Sequence, residues 1–192
     1  AVSAGNHAIA VAWAALALGI DAKVVMQSSA NPARVERARA FGAEVIIGGD
    51  GPACFALVDK IVRDEGRTFV HPFEGKATAI GTGTLGLEMF DQMGALDVVI
   101  LPIGGGGLAG GVATIIKAMH PQTKIIGVEP EGSDTMHRSF AEGSPQTISK
   151  VITIADSLGP PMALPYSFAL CRASVDELVM VNDDEICRAM LL

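Results

Sequence analysis

The sequence predicts an α/β fold in two lobes, each a small parallel sheet wrapped by helices. Three observations predict it. Short apolar strands alternate with longer helical stretches along most of the chain, glycines stand where the first two helical stretches must stop, and the rhythm breaks once, at His71-Pro72-Phe73, before resuming. Strands separated by helices run parallel, because each connection has to cross back over the sheet.

Asn6 to Leu18 is an Ala-rich helical stretch closed by Gly19, and the run Ala22 to Met26 follows as a strand. Pro32 sits near the start of the next helix, Asn31 to Phe41, where its missing N–H costs nothing, and Gly42 separates that helix from the strand Glu44 to Ile47. A third helix, Ala53 to Glu65, leads to a short strand, Thr68 to His71. A domain boundary is expected there, dividing a smaller lobe, residues 1–72, from a larger one, residues 73–192. The larger lobe opens with a Gly- and Thr-rich approach to a helix, Thr84 to Met93, then a buried strand, Asp97 to Ile103, a turn, Gly104 to Gly107, a helix, Leu108 to Met119, and a strand, Lys124 to Glu129. A short helix around Ser133 to Ala141 precedes an irregular region through Pro160, Pro161 and Pro165. Glu177 to Val181 reads as a strand, and Asp183-Asp184-Glu185 opens a last helix with acids at its positive end.

Composition narrows the function classes. The 192 residues are 49% hydrophobic and 18% charged, which supports a core and argues against disorder. A net charge of -7 repels phosphate backbones and anionic lipid, so neither nucleic acid nor a membrane surface is an expected partner. The longest uncharged apolar run, Ala8 to Ile20, falls short of the roughly 18 residues that a bilayer span requires. Cys54, Cys171 and Cys187 are odd in number and lack the paired spacing of a zinc site, which fits reduced thiols in a cytoplasmic protein. The first residue is Ala1 and not Met, so the chain reads as an interior piece of a longer protein.

The strongest motif is the apolar strand ending Leu101-Pro102-Ile103, followed by Gly104-Gly105-Gly106-Gly107-Leu108. Four glycines between a strand and a helix let backbone N–H groups converge on one point that the helix dipole also makes positive, a setting for phosphate. A merely tight turn would not need four. Gly105-x-Gly107-x-x-Gly110, with Glu129 closing the next strand, also satisfies the dinucleotide pattern, although so glycine-rich a segment can hardly fail it. A second motif bears on the choice. Val2-Ser3-Ala4-Gly5-Asn6-His7-Ala8 places a hydroxyl, backbone N–H groups and an Asn amide at the start of the Ala-rich helix, where a carboxylate and a ring oxygen could be held.

Together these segments resemble the fold-type II pyridoxal-phosphate enzymes, specifically the threonine/serine dehydratase and serine racemase group. The resemblance is carried by Ser3-Ala4-Gly5-Asn6-His7-Ala8, Phe41-Gly42-Ala43-Glu44-Val45, His71-Pro72-Phe73, Gly81-Thr82-Gly83-Thr84 with Leu87-Glu88, Pro102 through Leu108, Gly127-Val128-Glu129-Pro130 and Ala155-Asp156, in the family's order over nearly the whole chain. It implies that Gly104, Gly105, Gly106, Gly107 and Leu108 bind the cofactor phosphate and that Asn6 contacts the pyridine 3-oxygen. It further implies that Ser3, Ala4, Gly5 and His7 hold the substrate carboxylate. The implied reaction is α,β-elimination, converting L-threonine, L-serine or a similar β-hydroxy amino acid to a 2-oxo acid and ammonia. Racemases of the group are similar but carry a second Ser where Ala4 stands, and a methyl group cannot carry a proton, so dehydratase is favoured.

In that family the Schiff-base lysine precedes the Ser-x-Gly-Asn-His motif, and none of Lys23, Lys60, Lys76, Lys117, Lys124 and Lys150 matches it. The resemblance therefore implies that the smaller lobe lacks its first strand, that the larger lobe is incomplete at both ends, and that the chain alone is inactive. It also implies a cation site: Glu129 and the Ser133 carbonyl fit the family's oxygen ligands for Mg2+ or Ca2+, while Thr135 replaces the usual acid. The whole protein is expected to be a homodimer or higher homo-oligomer. The rivals are serine racemase, a nucleotide-binding oxidoreductase domain on the same glycine loop, and a non-catalytic module that kept the cradle.

Overall fold

Ala8, Ala12 and Ala15 lie on one face of helix α1 (Asn6–Leu18) and are buried, so that face approaches its neighbours closely on methyl groups, with Ile9 and Val11 packed beside it. Gly19 stops it in the left-handed conformation (φ 64°), its N–H returning to the carbonyls of Ala15 and Leu16. Strands β1 (Lys23–Met26) and β2 (Glu44–Ile47) pair in parallel, Lys23 opposite Glu44 and Met26 opposite Ile47. Between them runs α2 (Pro32–Ala40), capped by the Asn31 side chain accepting from the Ala33 N–H at 2.9 Å. Helix α3 (Gly51–Glu65) is capped in the same way by Asp50, and Gly66 ends it. Thr68 to His71, expected as a strand, forms no ladder with any strand of residues 1–72. These elements make one compact unit, Ala1–Pro72. The structure, a computed structural model, describes residues 1–192.

The second unit is Phe73–Leu192. Its first helix, α4 (Lys76–Met93), begins eight residues before the expected Thr84, because the glycines that suggested a loop lie inside the helix. A Cβ on Gly83 would stand 3.0 Å from the Ile115 side chain, and one on Gly86 would stand 3.0 Å from the Val112 carbonyl. Those glycines let α4 lie against α5 (Gly107–Met119) with backbone close to backbone. Strands β3 (Val98–Pro102), β4 (Lys124–Pro130) and β5 (Glu177–Val181) form a parallel sheet in sequence order. A 3-10 turn at Glu131–Ser133 leads into α6 (Thr135–Glu142).

Within the proline-rich stretch, where no helix is expected, Pro165 starts α7 (Pro165–Ser174) at the one helical position where proline is at home. Helix α8 (Asp183–Ala189) opens with a full capping box between Asn182 and Glu185. The core of this unit gathers Val99, Leu101 and Ile103 with Val112 and Ile116 of α5, Met136 of α6 and Cys171 of α7. No helix is long and apolar enough to cross a membrane.

Candidate functional site

The glycine loop joins β3 to α5, and its four glycines are all buried. Each position resists a side chain. A Cβ on Gly105 would fall inside the Phe73 ring, and one on Gly107 would sit 2.5 Å from the Phe73 Cα. On Gly104 it would press the Leu158 backbone at 3.0 Å, and Gly106 holds φ +84°. The Ile103 N–H completes the sheet by donating to the Val128 carbonyl at 2.8 Å. Beyond it, the amides of Gly104, Gly105, Gly106, Gly107 and Leu108 donate to no carbonyl and no side chain of the protein. Buried amides are almost always paired, and these five consecutive donors at the start of a helix are free to take the oxygens of an anion. This is a cradle that fits a phosphate, and a Cβ at any of its glycines would press on the protein packed against the loop.

In the first unit the opening turn is fixed to the sheet. The Ser3 N–H donates to the Val25 carbonyl at 3.0 Å, and the Val25 N–H donates to the Ala1 carbonyl at 2.9 Å. The Ser3 hydroxyl accepts from the Gly5 N–H at 3.0 Å. A Cβ on Gly5 would meet the Arg34 side chain, whose Cδ stands 2.8 Å away, so Arg34 would have to shift. Asn6 starts α1 and is exposed. His7 Nε2 lies 3.1 Å from the Val70 carbonyl; since a carbonyl only accepts, that nitrogen carries the proton. Burial holds the imidazole below its ordinary pKa, partly offset by this bond, so the ring is neutral near pH 7. Ser3, Ala4, Gly5, Asn6 and His7 are thus brought together in one turn of one unit, and Gly104 to Leu108 in one loop of the other.

The Glu129 carboxylate, on which the cation is expected, is otherwise engaged. Glu129 is fully buried, and its two carboxylate oxygens accept the Met136 N–H at 2.8 Å and the His137 N–H at 2.7 Å, capping α6. Burial pushes its pKa up to about 7, the two amides pull the other way, and the charge of Asp134 adds to the rise. The neighbouring carboxylate, Asp134, is held by Arg138 at 2.8 Å. The Ser133 hydroxyl donates to the Leu158 carbonyl at 3.1 Å. A donor set with one carboxylate, already capping a helix, and a neutral Thr135 is poor in charge for Mg2+ or Ca2+. No group of three His, Cys, Asp or Glu side chains is placed to hold a metal ion. The residues do not fit one.

Three residues around the cradle escaped the sequence reading. Phe73 covers Gly105 and Gly107, the Thr82 hydroxyl lies 2.9 Å from the Gly107 carbonyl, and the Cys171 thiol lies 3.4 Å from the Gly106 carbonyl. The only signal in the sequence was that His71-Pro72-Phe73 and Gly81-Thr82-Gly83-Thr84 interrupt regular patterns; Cys171 gave none.

The family model described as pyridoxal-phosphate dependent enzyme matches residues 1–192. Phenylserine dehydratase of Ralstonia pickettii is 56% identical over 191 residues, covering 100% of this chain and 59% of that protein. L-threonine ammonia-lyase of Thermotoga maritima is 38% identical over 192 residues, 100% of this chain and 48% of that protein. Among solved structures, maize serine racemase superposes with a TM-score of 0.94 at 34% identity, over 99% of this chain and 58% of that one. The processed form of threonine deaminase isoform 2 from Solanum lycopersicum gives a TM-score of 0.92 at 36% identity, over 99% and 56%. The chain therefore spans roughly half to three-fifths of the length of these relatives.

Proposed function

Because the chain belongs to the family of pyridoxal-phosphate dependent enzymes, we propose that the whole protein is a dehydratase of β-hydroxy amino acids, removing water and releasing a 2-oxo acid and ammonia. The observation that carries this is the row of five unpaired amides, Gly104 to Leu108, at the start of α5. Pyridoxal phosphate, when bound, supplies the electron sink that lets the Cα proton and the Cβ hydroxyl leave. The amides would hold its phosphate at the positive end of α5. Asn6 would donate its side-chain amide to the ring oxygen, and the turn from Ser3 to His7 would take the substrate carboxylate, the Ser3 hydroxyl keeping its own proton to donate. His7, neutral and tied to Val70, orients that turn and adds no charge of its own.

Two features bear on the substrate. The relative at 56% identity is named for phenylserine, which favours a substrate with an aryl group on the β-carbon, with threonine and serine next. Ala4 offers no acid or base, which speaks against racemisation even though solved relatives include serine racemases. No step is assigned to a cation.

The lysine that anchors the cofactor is none of the six present. Lys23, Lys60, Lys117 and Lys124 are each paired with carboxylates, and Lys76 and Lys150 are exposed on the surface. We place the anchor outside residues 1–192 and expect those residues alone to be inactive. Free thiols at Cys54, Cys171 and Cys187 favour a cytoplasmic protein. Ile80 and Leu87, exposed two turns apart on α4, favour association of copies into a homo-oligomer.

The test incubates the whole protein, loaded with pyridoxal phosphate, with L-phenylserine, L-threonine and L-serine. Equal amounts of 2-oxo acid and ammonium, greatest with phenylserine, are expected. D-serine from L-serine with little 2-oxo acid would make it a racemase. Binding of a nicotinamide dinucleotide in place of pyridoxal phosphate would overturn the reading.

A further inference from the structure

We propose that Thr82 and Cys171 are positioning residues of the phosphate grip, each holding one peptide plane of the glycine loop so that its N–H faces the anion. The proposal rests on the reading that this loop takes the cofactor's phosphate.

Four successive glycines make a flexible segment, whereas an anion site works best when its donors are already aimed. Something must hold the loop. In a trans peptide the carbonyl and the following N–H point in opposite directions, and the chain has no cis peptide bonds. A carbonyl tied into the protein therefore turns the next N–H away from it. The Gly107 carbonyl lies 2.9 Å from the Thr82 hydroxyl of α4, which sets the Leu108 N–H. The Gly106 carbonyl accepts the Gly110 N–H at 2.8 Å and lies 3.4 Å from the Cys171 thiol of α7, which sets the Gly107 N–H. Both of those N–H groups belong to the unpaired row. The two clamps approach from different helices and hold the peptide planes on either side of Gly107, directly after Gly106, the residue at φ +84°.

The close crossing of α4 and α5 makes the first clamp possible. A Cβ on Gly111 would fall on the Thr82 hydroxyl and 2.6 Å from the Ala79 carbonyl. Glycine there leaves room for the hydroxyl to reach past its own helix. Thr82 also lies within reach of its helix carbonyls, Thr78 at 3.0 Å and Ala79 at 3.3 Å, but its one proton has its shortest acceptor in Gly107. Cys171 is fully buried, and burial pushes its thiol up to about 12, so it remains a donor throughout the working range.

The experiment measures, by absorbance titration of the whole apo-protein, the affinity for pyridoxal phosphate and for pyridoxal, which lacks the phosphate. Thr82→Val should weaken pyridoxal phosphate about fivefold and Cys171→Ala about twofold, with pyridoxal unchanged in both, as befits the loss of one modest hydrogen bond. Thr82→Ser and Cys171→Ser should restore the preference. If Thr82→Val does not fold, Thr82→Ala and Cys171→Ala decide in its place. Equal weakening of both ligands, or of neither, overturns the proposal, since a merely structural role would not single out the phosphate. A wild-type protein that binds pyridoxal as tightly as pyridoxal phosphate would instead refute the reading of the loop itself.

Discussion

Single side chains decide what the site can do. Ala4 stands where the racemases that the chain resembles carry a second Ser, and its methyl group donates nothing. Ala4→Ser in the whole protein should raise D-serine formation from L-serine at least about tenfold while 2-oxo acid formation persists, as chiral chromatography would show. Glu129 makes a second, independent prediction. Its carboxyl binds a proton more tightly in the folded chain, near pH 7, than at the ordinary value of 4.5. Its contribution to stability is therefore fully present below about pH 4.5 and is lost as the pH rises through about 7, a change on the order of 3 kcal/mol. Denaturant midpoints measured from pH 4.5 to 8 should fall more steeply for wild type than for Glu129→Gln; parallel curves would refute the assignment. The glycine turn between β3 and α5 was legible from the run of four glycines, but the reason for each glycine was not. Phe73 and Leu158, which exclude a Cβ at Gly104, Gly105 and Gly107, lie about 30 and 50 residues away in sequence.

At the scale of elements, local signals served where the local chain decides the outcome. Pro32 and Gly19 mark helix ends through local geometry, and the structure uses both; the caps that Asn31 and Asp50 supply went unread. Local signals failed where a distant partner decides. The glycines of α4 read as a loop until α5 lies against them, and Thr68 to His71 reads as a strand although it pairs with none. Helix α7 was hidden behind its prolines. Its first amides, Tyr166 and Ser167, are capped by the carboxylate of Glu74 at 2.7 and 3.0 Å, across more than ninety residues of sequence. Glu74→Ala should cost about 1–2 kcal/mol, leaving two amides without their acceptor while the Ser167 hydroxyl falls back on the Leu164 carbonyl, and should lower the thermal midpoint of the whole protein by several degrees. An unchanged midpoint would show that this cap is not needed.

Over the whole molecule, the alternation of strands and helices foretold two parallel sheets, and the structure has them, β1-β2 and β3-β4-β5. The family was legible too, because the Ser3 to Ala8 turn, the glycine loop and Gly127-Val128-Glu129-Pro130 each preserve a local pattern. Substrate choice was not, since it depends on side chains that contact the substrate and carry no motif of their own. Residues 1–192 alone should form no 2-oxo acid from phenylserine, whereas the whole protein should; activity in the shorter chain would place the anchor among its six lysines. The central claim is that the amides of Gly104 to Leu108 hold the phosphate of pyridoxal phosphate. A crystal structure of the whole protein with the cofactor tests it most directly. Phosphate oxygens within roughly 2.7–3.2 Å of those amide nitrogens are the expected result. A phosphate bound elsewhere, with the glycine amides turned onto protein carbonyls, would contradict it.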